Sequence, residues 1–276
     1  MTLTDFRSKP KVKTKVLTEA RFITIWGPPG STGKSTIAFN LAFELAALGQ
    51  RVLLLDLDTC APAISQMVSE STTTAGLAGA ARLIRQGRFS LEELDRLSVA
   101  LSHKRSYLRF LPGLSNPMRW PEITPETIQQ LKITASHIFD FVISDVASPI
   151  EDKLSAVSHS TFRNSATRTA LAISDQVIVS LHGTQISLAR YLANFAELDE
   201  LQKSRILLIN KASPSQSRTV ALRNLTKDQI SAHIPSDEST MELAENQRLP
   251  ISLVRRKSLA RTAIAALAHK LLAWQP

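Results

Sequence analysis

The stretch Gly27-Pro28-Pro29-Gly30-Ser31-Thr32-Gly33-Lys34-Ser35-Thr36 decides the fold of this chain. The apolar run 22–26 precedes it and predicts a strand. Apolar residues at helical spacing follow it, at Ile37, Leu41, Leu45 and Leu48. A glycine-containing loop that ends in Lys-Ser between a strand and a helix is typical of a phosphate-binding loop. The sequence therefore predicts a nucleotide site at this loop.

The chemistry of such a loop follows from its backbone. Glycines let N–H groups curl around a polyphosphate, and the helix N-terminus adds the positive end of its dipole. Lys34 should reach the β- and γ-phosphates, and the Ser35 hydroxyl should bind Mg²⁺. The loop departs from the usual spacing at Pro28, where a glycine is typical. The residues expected to contact the nucleotide here are Gly30, Ser31, Thr32, Gly33, Lys34, Ser35 and Thr36.

Length and composition limit the classes of protein to which the chain can belong. A chain of 276 residues with 43% hydrophobic content can bury a full core. The single Cys60 excludes an internal disulfide and fits a reducing cytosol. No apolar run approaches the roughly 20 residues that span a bilayer, and the basic N-terminus lacks the apolar core of a signal peptide. We therefore expect a cytoplasmic protein.

The net charge of +9 is concentrated at the two ends of the chain. Residues 1–21 hold six Lys or Arg against two acids, and residues 248–276 hold six and no acid. The middle of the chain is therefore close to neutral. Basic ends of this kind can contact DNA or an anionic membrane surface, or can simply be solvated. Residues 1–20 carry alternating lysines and little apolar content, which predicts a flexible basic arm.

Strand and helix patterns alternate through the rest of the chain. Strands are predicted over 22–26, 51–58, 107–111, 139–145, 176–181 and 205–210, with a short extended piece at 233–235. Helices are predicted from the loop to about Gly49, within 61–104 with one start at Ser90, and over 125–137, 165–173, 186–201, 217–231, from 239 onward and over 258–273. Loops are expected over 112–125 and 147–165. Repeated strand–helix units with apolar strands indicate an α/β fold, a doubly wound, mainly parallel sheet with helices on both faces, as one domain over 21–276.

Three aspartates follow predicted strands, namely Asp56, Asp58 and Asp145. The carboxyl ends of strands in a doubly wound sheet converge on the ligand crevice. Asp145 ends an apolar run, as does the acid that helps to hold Mg²⁺ in phosphate-loop proteins, often through water. Asp56 and Asp58 would face the same side of a continuing strand, where an acid can orient the attacking water or a Mg²⁺-bound water. The metal candidates are therefore Ser35, Asp58 and Asp145.

The order of these motifs resembles that of the MinD/ParA-type P-loop ATPases. The resemblance rests on the loop, on Leu-Leu-Leu-Asp56-Leu-Asp58, on Phe-Val-Ile-Ser-Asp145 and on Leu-Leu-Ile-Asn210-Lys211, and covers about residues 20–272. It implies ATP and Mg²⁺ as cofactors and a nucleotide-dependent homodimer. It also implies that Lys34 and Asp58 are catalytic, with Asp58 positioning the hydrolytic water, and that Asn210 reads the adenine edge.

One residue of the family pattern is absent. The early lysine of the loop, which in that family reaches across a dimer to the partner's nucleotide, falls on Pro29. Within the family the chain is similar to the CpaE/TadZ-like branch of actinobacteria, which often occurs with pilus or secretion machinery. That likeness rests on Trp26-Gly-Pro, Leu111-Pro-Gly, Arg119-Trp-Pro and Phe162-Arg-Asn.

The function implied by the resemblance is a slowly hydrolysing ATP switch that positions or regulates a cellular machinery. Two alternatives stay open at this point. A nucleotide-binding scaffold with little turnover is one, because Pro29 removes the family's lysine. A metabolic phosphotransferase or ligase is the other, although no acceptor motif stands out. Asp56, Arg163, Asn164 and Cys60 lie in or near these motifs without a fixed role, and Arg163 is either a charge stabiliser near phosphate or a structural residue.

Overall fold

A single mixed sheet runs through the described part of the chain. The computed structural model describes residues 20–70, 72–101, 107–151, 163–202, 204–211 and 228–274. The strands of the sheet are β1 (Arg21–Trp26), β2 (Arg51–Leu57), β3 (Val99–Ala100), β4 (Tyr107–Leu111), β5 (Phe141–Val146), β6 (Gln176–His182), β7 (Arg205–Asn210) and β8 (Gln229–Ile234). They lie in the order β3-β4-β2-β5-β1-β6-β7-β8. The pairings are parallel except that of β3 with β4, so β1 delivers the phosphate loop at the middle of the sheet.

Helices cover both faces of this sheet, as the alternation of the sequence predicts. They are α1 (Lys34–Ala47), α2 (Gly76–Arg85), α3 (Leu91–Leu97), α4 (Pro125–Ser136), α5 (Ser165–Ile173), α6 (Gln185–Ala193), α7 (Phe195–Leu201), α8 (Glu238–Gln247), α9 (Ile251–Val254) and α10 (Leu259–Ala273). Short 3₁₀ turns occupy Ile64–Gln66 and Pro117–Glu122.

The two faces of β1 show how the core divides. Phe22 and Trp26 point into a cluster with helices α2 to α7, whereas Ile23 and Ile25 point into a second cluster with α1 and α10. Successive side chains of a strand point to opposite faces, so a strand covered on both sides must be apolar throughout. This arrangement confirms the doubly wound, mainly parallel fold.

Several helix ends lie where capping residues predict them. The Ser90 hydroxyl accepts a hydrogen bond from the Glu93 N–H and starts α3. Thr124 caps α4, which has Pro125 at its first position. Ser258 caps α10 in the same way. Each cap satisfies an N–H group that the first helical turn leaves without a partner.

Three sequence-based expectations are wrong in part. Residues 229–231 belong to β8 and not to a helix, because they pair with β7 in the sheet. A register shift between Leu207 and Leu208 places Ile230 and Ala232, two residues apart, in different cores. The rest of that predicted helix lies largely outside the described residues. Residues 99–100, expected within a helical region, form the short edge strand β3 against β4, and so short a strand carries no periodicity. The helix predicted over 186–201 is broken at Asn194, whose side chain donates to the Arg190 carbonyl.

Other sequence-based expectations fall on residues that the structure does not describe. The basic arm lies outside the described residues apart from Ala20, as do Phe162 and most of the loop expected over 147–165. Within the described ranges, no helix is long and apolar enough to cross a membrane.

Candidate functional site

The loop between β1 and α1 has the backbone of an anion-binding turn. Gly30, Ser31 and Gly33 have φ values of 115°, 49° and 83°, a region that favours glycine. Lys34 begins α1 directly after the loop, and the Ile37 N–H donates to the Gly33 carbonyl at 2.9 Å. The first N–H groups of α1 have no partner within the helix and so present positive partial charge to the loop.

Close packing fixes the first and last glycines of the loop. A Cβ on Gly27 would lie 2.5 Å from both the Ser180 carbonyl oxygen and the Thr32 Oγ1. A Cβ on Gly33 would lie 2.3 Å from the Asn210 Nδ2. A side chain at Gly27 would meet the backbone of β6, and one at Gly33 would displace the Asn210 amide, because real Cβ atoms do not approach other atoms so closely.

Two buried side chains hold the Thr32 carbonyl from below the loop. The Ser180 hydroxyl on β6 donates to it at 2.8 Å, and the Asn210 amide at the end of β7 donates at 3.0 Å. The side-chain oxygen of Asn210, Oδ1, accepts from the Lys211 N–H. Asn210 thus braces the phosphate loop, a role that sequence reasoning did not assign to it.

Lys34 faces the aspartate expected to position water. Its Nζ lies 3.6 Å from the Asp58 Oδ2, and both side chains are nearly buried. The other Asp58 oxygen accepts hydrogen bonds from the Cys60 and Ala61 N–H groups at 2.9 and 2.8 Å. Asp58 is therefore fixed by its own turn, with one oxygen directed to the lysine.

Asp145 is a fully buried carboxylate beside the start of α1. No donor in the described ranges makes a hydrogen bond of good geometry to either of its oxygens. Burial raises the pKa of Asp145 to about 6, while the Lys34 ammonium and the Ser35 hydroxyl nearby oppose the rise. A buried carboxylate without a donor is costly unless a cation offsets it. The residues present therefore fit a divalent cation next to Ser35.

Asp56 stands opposite Asp145 on the neighbouring strand. Its oxygens accept from the Asp58 and Ile64 N–H groups at 3.3 and 3.2 Å. Burial, and after it the Asp145 charge, raises the pKa of Asp56 well above its usual value. The described residues contain no group of three His, Cys, Asp or Glu side chains that could hold a metal ion on their own. A magnesium ion here would need hydroxyl, water and phosphate oxygens as further ligands.

A cavity of about 740 Å³ extends from the loop along α1 to the start of α8. Residues 31–36 line one end, and Asn210 and Lys211 lie beside them. Pro235, Asp237 and Met241 line the other side, with further lining from the segment that follows Asp58. Gly30 lies outside this lining at the exposed rim of the loop. The cavity has the volume of a small-molecule site.

Several motif residues that sequence left without a role surround the segment after Asp58. Arg163 donates to the Thr59 hydroxyl and carbonyl at 2.9 and 3.0 Å and stacks on the Trp120 ring. This position favours the structural alternative for Arg163. Gly113 passes so close to Asp56 that a Cβ would lie 2.9 Å from the Asp56 Cγ.

Three more residues of the sequence motifs, Trp26, Asn164 and Cys60, have surroundings that indicate structural roles or no activated chemistry. The Trp26 indole N–H donates to the Ser148 carbonyl at 3.0 Å. The Asn164 amide donates to the Glu151 carbonyl at 2.6 Å. Burial raises the pKa of Cys60, with Arg163 opposing, so the thiol is not activated.

A family model described as "CbiA: CobQ/CobB/MinD/ParA nucleotide binding domain" matches residues 23–251. The chain belongs to this family. Antiactivator FleN of Pseudomonas aeruginosa is 28% identical over 265 residues, which is 91% of this chain and 86% of FleN. A MinD-type septum site-determining protein of Emiliania huxleyi is 30% identical over 142 residues, which is 51% of this chain and 48% of that protein. That match therefore spans about half the length of the MinD relative.

Solved structures of ParA and MinD proteins share the fold. A ParA family ATPase from Chlorobium tepidum superposes with a TM-score of 0.77 at 22% identity, covering 92% of this chain and all of that one. MinD of Pyrococcus horikoshii, solved with Mg-ADP, gives 0.68 at 20% identity and covers 92% of this chain and 97% of its own. These structures confirm the predicted fold, and the match to the family model confirms the predicted MinD/ParA-type family. The CpaE/TadZ-like branch stays a prediction.

Proposed function

We propose that this protein binds ATP with Mg²⁺ at the phosphate loop, hydrolyses it slowly, and acts as a MinD/ParA-like switch. The buried Asp145, next to Ser35 and Lys34 and with no hydrogen bond of good geometry from a described residue, is the observation that carries the proposal. A bound cation would offset the remaining cost of burying that carboxylate, which the Lys34 ammonium and the Ser35 hydroxyl offset only in part. The Mg-ADP in the MinD structure of P. horikoshii supports the choice of ligand.

Each side chain of the site then has a defined task. Lys34 contacts the β- and γ-phosphates, and the Ser35 hydroxyl and Asp145 hold Mg²⁺, Asp145 in part through water. Bound Mg²⁺ would neutralise charge on the phosphate oxygens. Asp58, fixed by its turn beside Lys34, orients the attacking water. The loop residues 30–36 supply backbone N–H groups.

The base end of the nucleotide belongs beside Asn210. Asn210 is 7% exposed and lines the same cavity as Pro235 and Asp237. One N–H of the Asn210 amide is used by the Thr32 carbonyl, and an amide nitrogen carries two. The second N–H is the group that we assign to the adenine edge.

The nucleotide state would be read by other molecules, as the names of the relatives suggest. FleN is called an antiactivator, and the MinD relative a septum site-determining protein. We therefore assign this chain to the positioning or regulation of a cellular machinery through an ATP-dependent homodimer. A cytoplasmic role beside pilus, secretion or partitioning machinery is the finer form of this proposal.

A contact with DNA or an anionic membrane is a second element of the proposal. Arg255, Arg256 and Lys257 are exposed at the turn before α10. Leu259, two residues further on, is 70% exposed. An uninterrupted run of exposed cations attracts polyanions, and an exposed leucine beside it suits a lipid surface.

The scaffold alternative has one observation in its favour. Pro28 and Pro29 remove two N–H groups and the family's early lysine from the loop. Phosphate release from ATP, with and without Mg²⁺, separates a switch from a scaffold, since a scaffold releases none above background. Asp58→Ala is the test variant, because it should remove turnover and leave ATP binding. A transferred phosphoryl group in place of free phosphate would favour a phosphotransferase.

A further inference from the structure

Side chains from other elements of the fold donate hydrogen bonds to two carbonyl groups of the phosphate loop. Ser180 and Asn210 hold the Thr32 carbonyl, and both side chains are buried. Arg190 on α6 holds the Pro29 carbonyl through its Nη1 at 2.8 Å. Arg190 and Pro29 are exposed, and no other donor of the described ranges hydrogen-bonds to the Pro29 carbonyl. Among the described residues, the orientation of the peptide between Pro29 and Gly30 therefore depends on one exposed arginine.

The arginine sits directly on the peptide that joins Pro29 to Gly30. A Cβ on Gly30 would lie 2.3 Å from the Arg190 Nη1. Gly30 has a φ of 115°, which L-residues rarely adopt. The same combination occurs at Gly33, where the Asn210 amide takes the place of a Cβ. Each of these two loop glycines thus lies against one of the side chains that hold the loop.

A trans peptide directs its C=O and the next N–H to opposite sides. Because Arg190 on α6 holds the Pro29 carbonyl, the Gly30 N–H points to the opposite side of the peptide, away from that guanidinium. Pro28 and Pro29 have no N–H, so Gly30 supplies the first backbone donor of the loop after Gly27. Glycine rotates its peptide at little steric cost, which means that this donor needs an external restraint.

We propose that Arg190 is a positioning residue for phosphate binding, which fixes the Pro29–Gly30 peptide so that the Gly30 N–H faces the polyphosphate. This inference rests on the proposed function, because it assigns a task within the nucleotide site. In the described part of the chain, no carboxylate lies within ion-pair distance of Arg190. Among the described residues, the guanidinium therefore contacts the loop and not a carboxylate.

The test compares wild type with Arg190→Ala, Arg190→Lys and the control Arg88→Ala, which removes an exposed arginine far along the chain. ATP and inorganic tripolyphosphate are titrated at about 0.1 and about 0.5 M salt. Losing one hydrogen bond that preorganises the loop should weaken both ligands about 3- to 10-fold in Arg190→Ala. Arg190→Lys should recover part of the loss, and Arg88→Ala should match wild type. The loss should persist at high salt, where long-range charge is screened.

The Gly30 amide gives a readout that a general loss of stability would not change. Its ¹⁵N–¹H resonance should shift on addition of tripolyphosphate to wild type and shift less in Arg190→Ala, with unchanged thermal midpoints. Wild-type affinity and an unchanged Gly30 response in Arg190→Ala would overturn the inference, as would a loss that disappears at high salt. Failure of wild type to bind ATP would instead overturn the proposed function. In that case the Gly30 resonance of the free proteins still reports whether Arg190 orients the peptide.

Discussion

The Nζ of Lys34 lies 3.6 Å from the Oδ2 of Asp58, although the two residues come from different strand–loop units of the sheet. The lysine expected to contact phosphate and the carboxylate expected to orient the attacking water are therefore neighbours in the fold. The second Asp58 oxygen is held by two backbone N–H groups. This restraint leaves one oxygen directed toward the site.

Asp58→Ala should retain ATP and lose hydrolysis. The Asp58 carboxylate is assigned to the attacking water and not to phosphate, and a group of this kind typically contributes ~10²-fold or more to the rate. Phosphate release measured beside calorimetric ATP titration separates the two effects. Asp58→Asn is the matched variant, since it keeps the turn without the charge. A large loss of ATP affinity with an unchanged rate per bound ATP would contradict the assignment.

The free energy of unfolding should depend on pH through Asp145. The pKa of its carboxyl is raised by burial to about 6 in the folded chain, so the folded state keeps the proton to higher pH than the unfolded state does. This contribution to stability is complete below the unfolded pKa of about 4 and is lost as pH rises through about 6. Asp145→Asn removes the titration. Between pH 4.5 and 7.5 wild type should lose about 1–3 kcal/mol relative to Asp145→Asn in urea unfolding without nucleotide.

If the free energy of unfolding depends on pH in the same way in wild type and Asp145→Asn, Asp145 does not titrate as its burial requires. Saturating Mg²⁺ with ATP should reverse the difference, because a bound cation favours the charged carboxylate and binding stabilises the folded state.

Gly33 and Gly49 have similar positive φ values, so alanine at each position compares the cost of backbone strain with the cost of a steric clash. Gly33 and Gly49 have φ values of 83° and 82°. A Cβ on Gly49 meets nothing within 4 Å, whereas one on Gly33 overlaps the Asn210 amide. Gly49→Ala should cost about 1–2 kcal/mol of unfolding free energy from φ alone. Gly33→Ala should cost about 1–3 kcal/mol more, from the displaced Asn210 hydrogen bond, and should abolish nucleotide binding. Equal losses in the two variants would mean that Asn210 does not brace the loop.

The exposed cations before α10 should bind duplex DNA or anionic vesicles in a salt-dependent manner. Replacing Arg256 and Lys257 with Gln should reduce the slope of log affinity against log salt by about 0.9 for each DNA phosphate that the variant no longer neutralises. Arg82→Gln with Arg88→Gln is the matched double variant on another exposed surface. Polarisation binding across a salt series, with and without ATP, measures the effect. Absence of binding to either polyanion at ~50 mM salt would return these cations to a solvating role.

The phosphate loop with its flanking strand and helix, and the aspartates at strand ends, could be predicted from sequence. The strand, loop and α1 follow from an apolar run, a Gly-Lys-Ser turn and helical spacing, all within one short segment of the chain. Asp58 and Asp145 follow from their positions at strand ends, because parallel strands end at one edge of the sheet. Pairing of Lys34 with Asp58 is a direct consequence of that topology.

The outer supports of the loop could not be predicted in this way. Ser180 and Arg190 act on loop carbonyls 148 and 161 residues earlier in the chain. Ser180 lies between the apolar Val179 and Leu181 of β6, and Arg190 lies on a helix face that periodicity assigns to solvent. Only strand order and register bring them to the loop. The strand β3 and most of β8 were missed for the same reason, since pairing and not local pattern decides them.

The most direct test of the central claim is a calorimetric titration of ATP with Mg²⁺ into wild type and Lys34→Ala. Removing the Lys34 ammonium should cost on the order of 2–3 kcal/mol of binding free energy, the value of a charge-assisted hydrogen bond to phosphate. Wild type is expected to bind ATP, with an affinity that falls when Mg²⁺ is chelated, and Lys34→Ala is expected to bind about 30- to 150-fold more weakly. Equal ATP affinity in the two proteins, or no binding to wild type, would contradict the account.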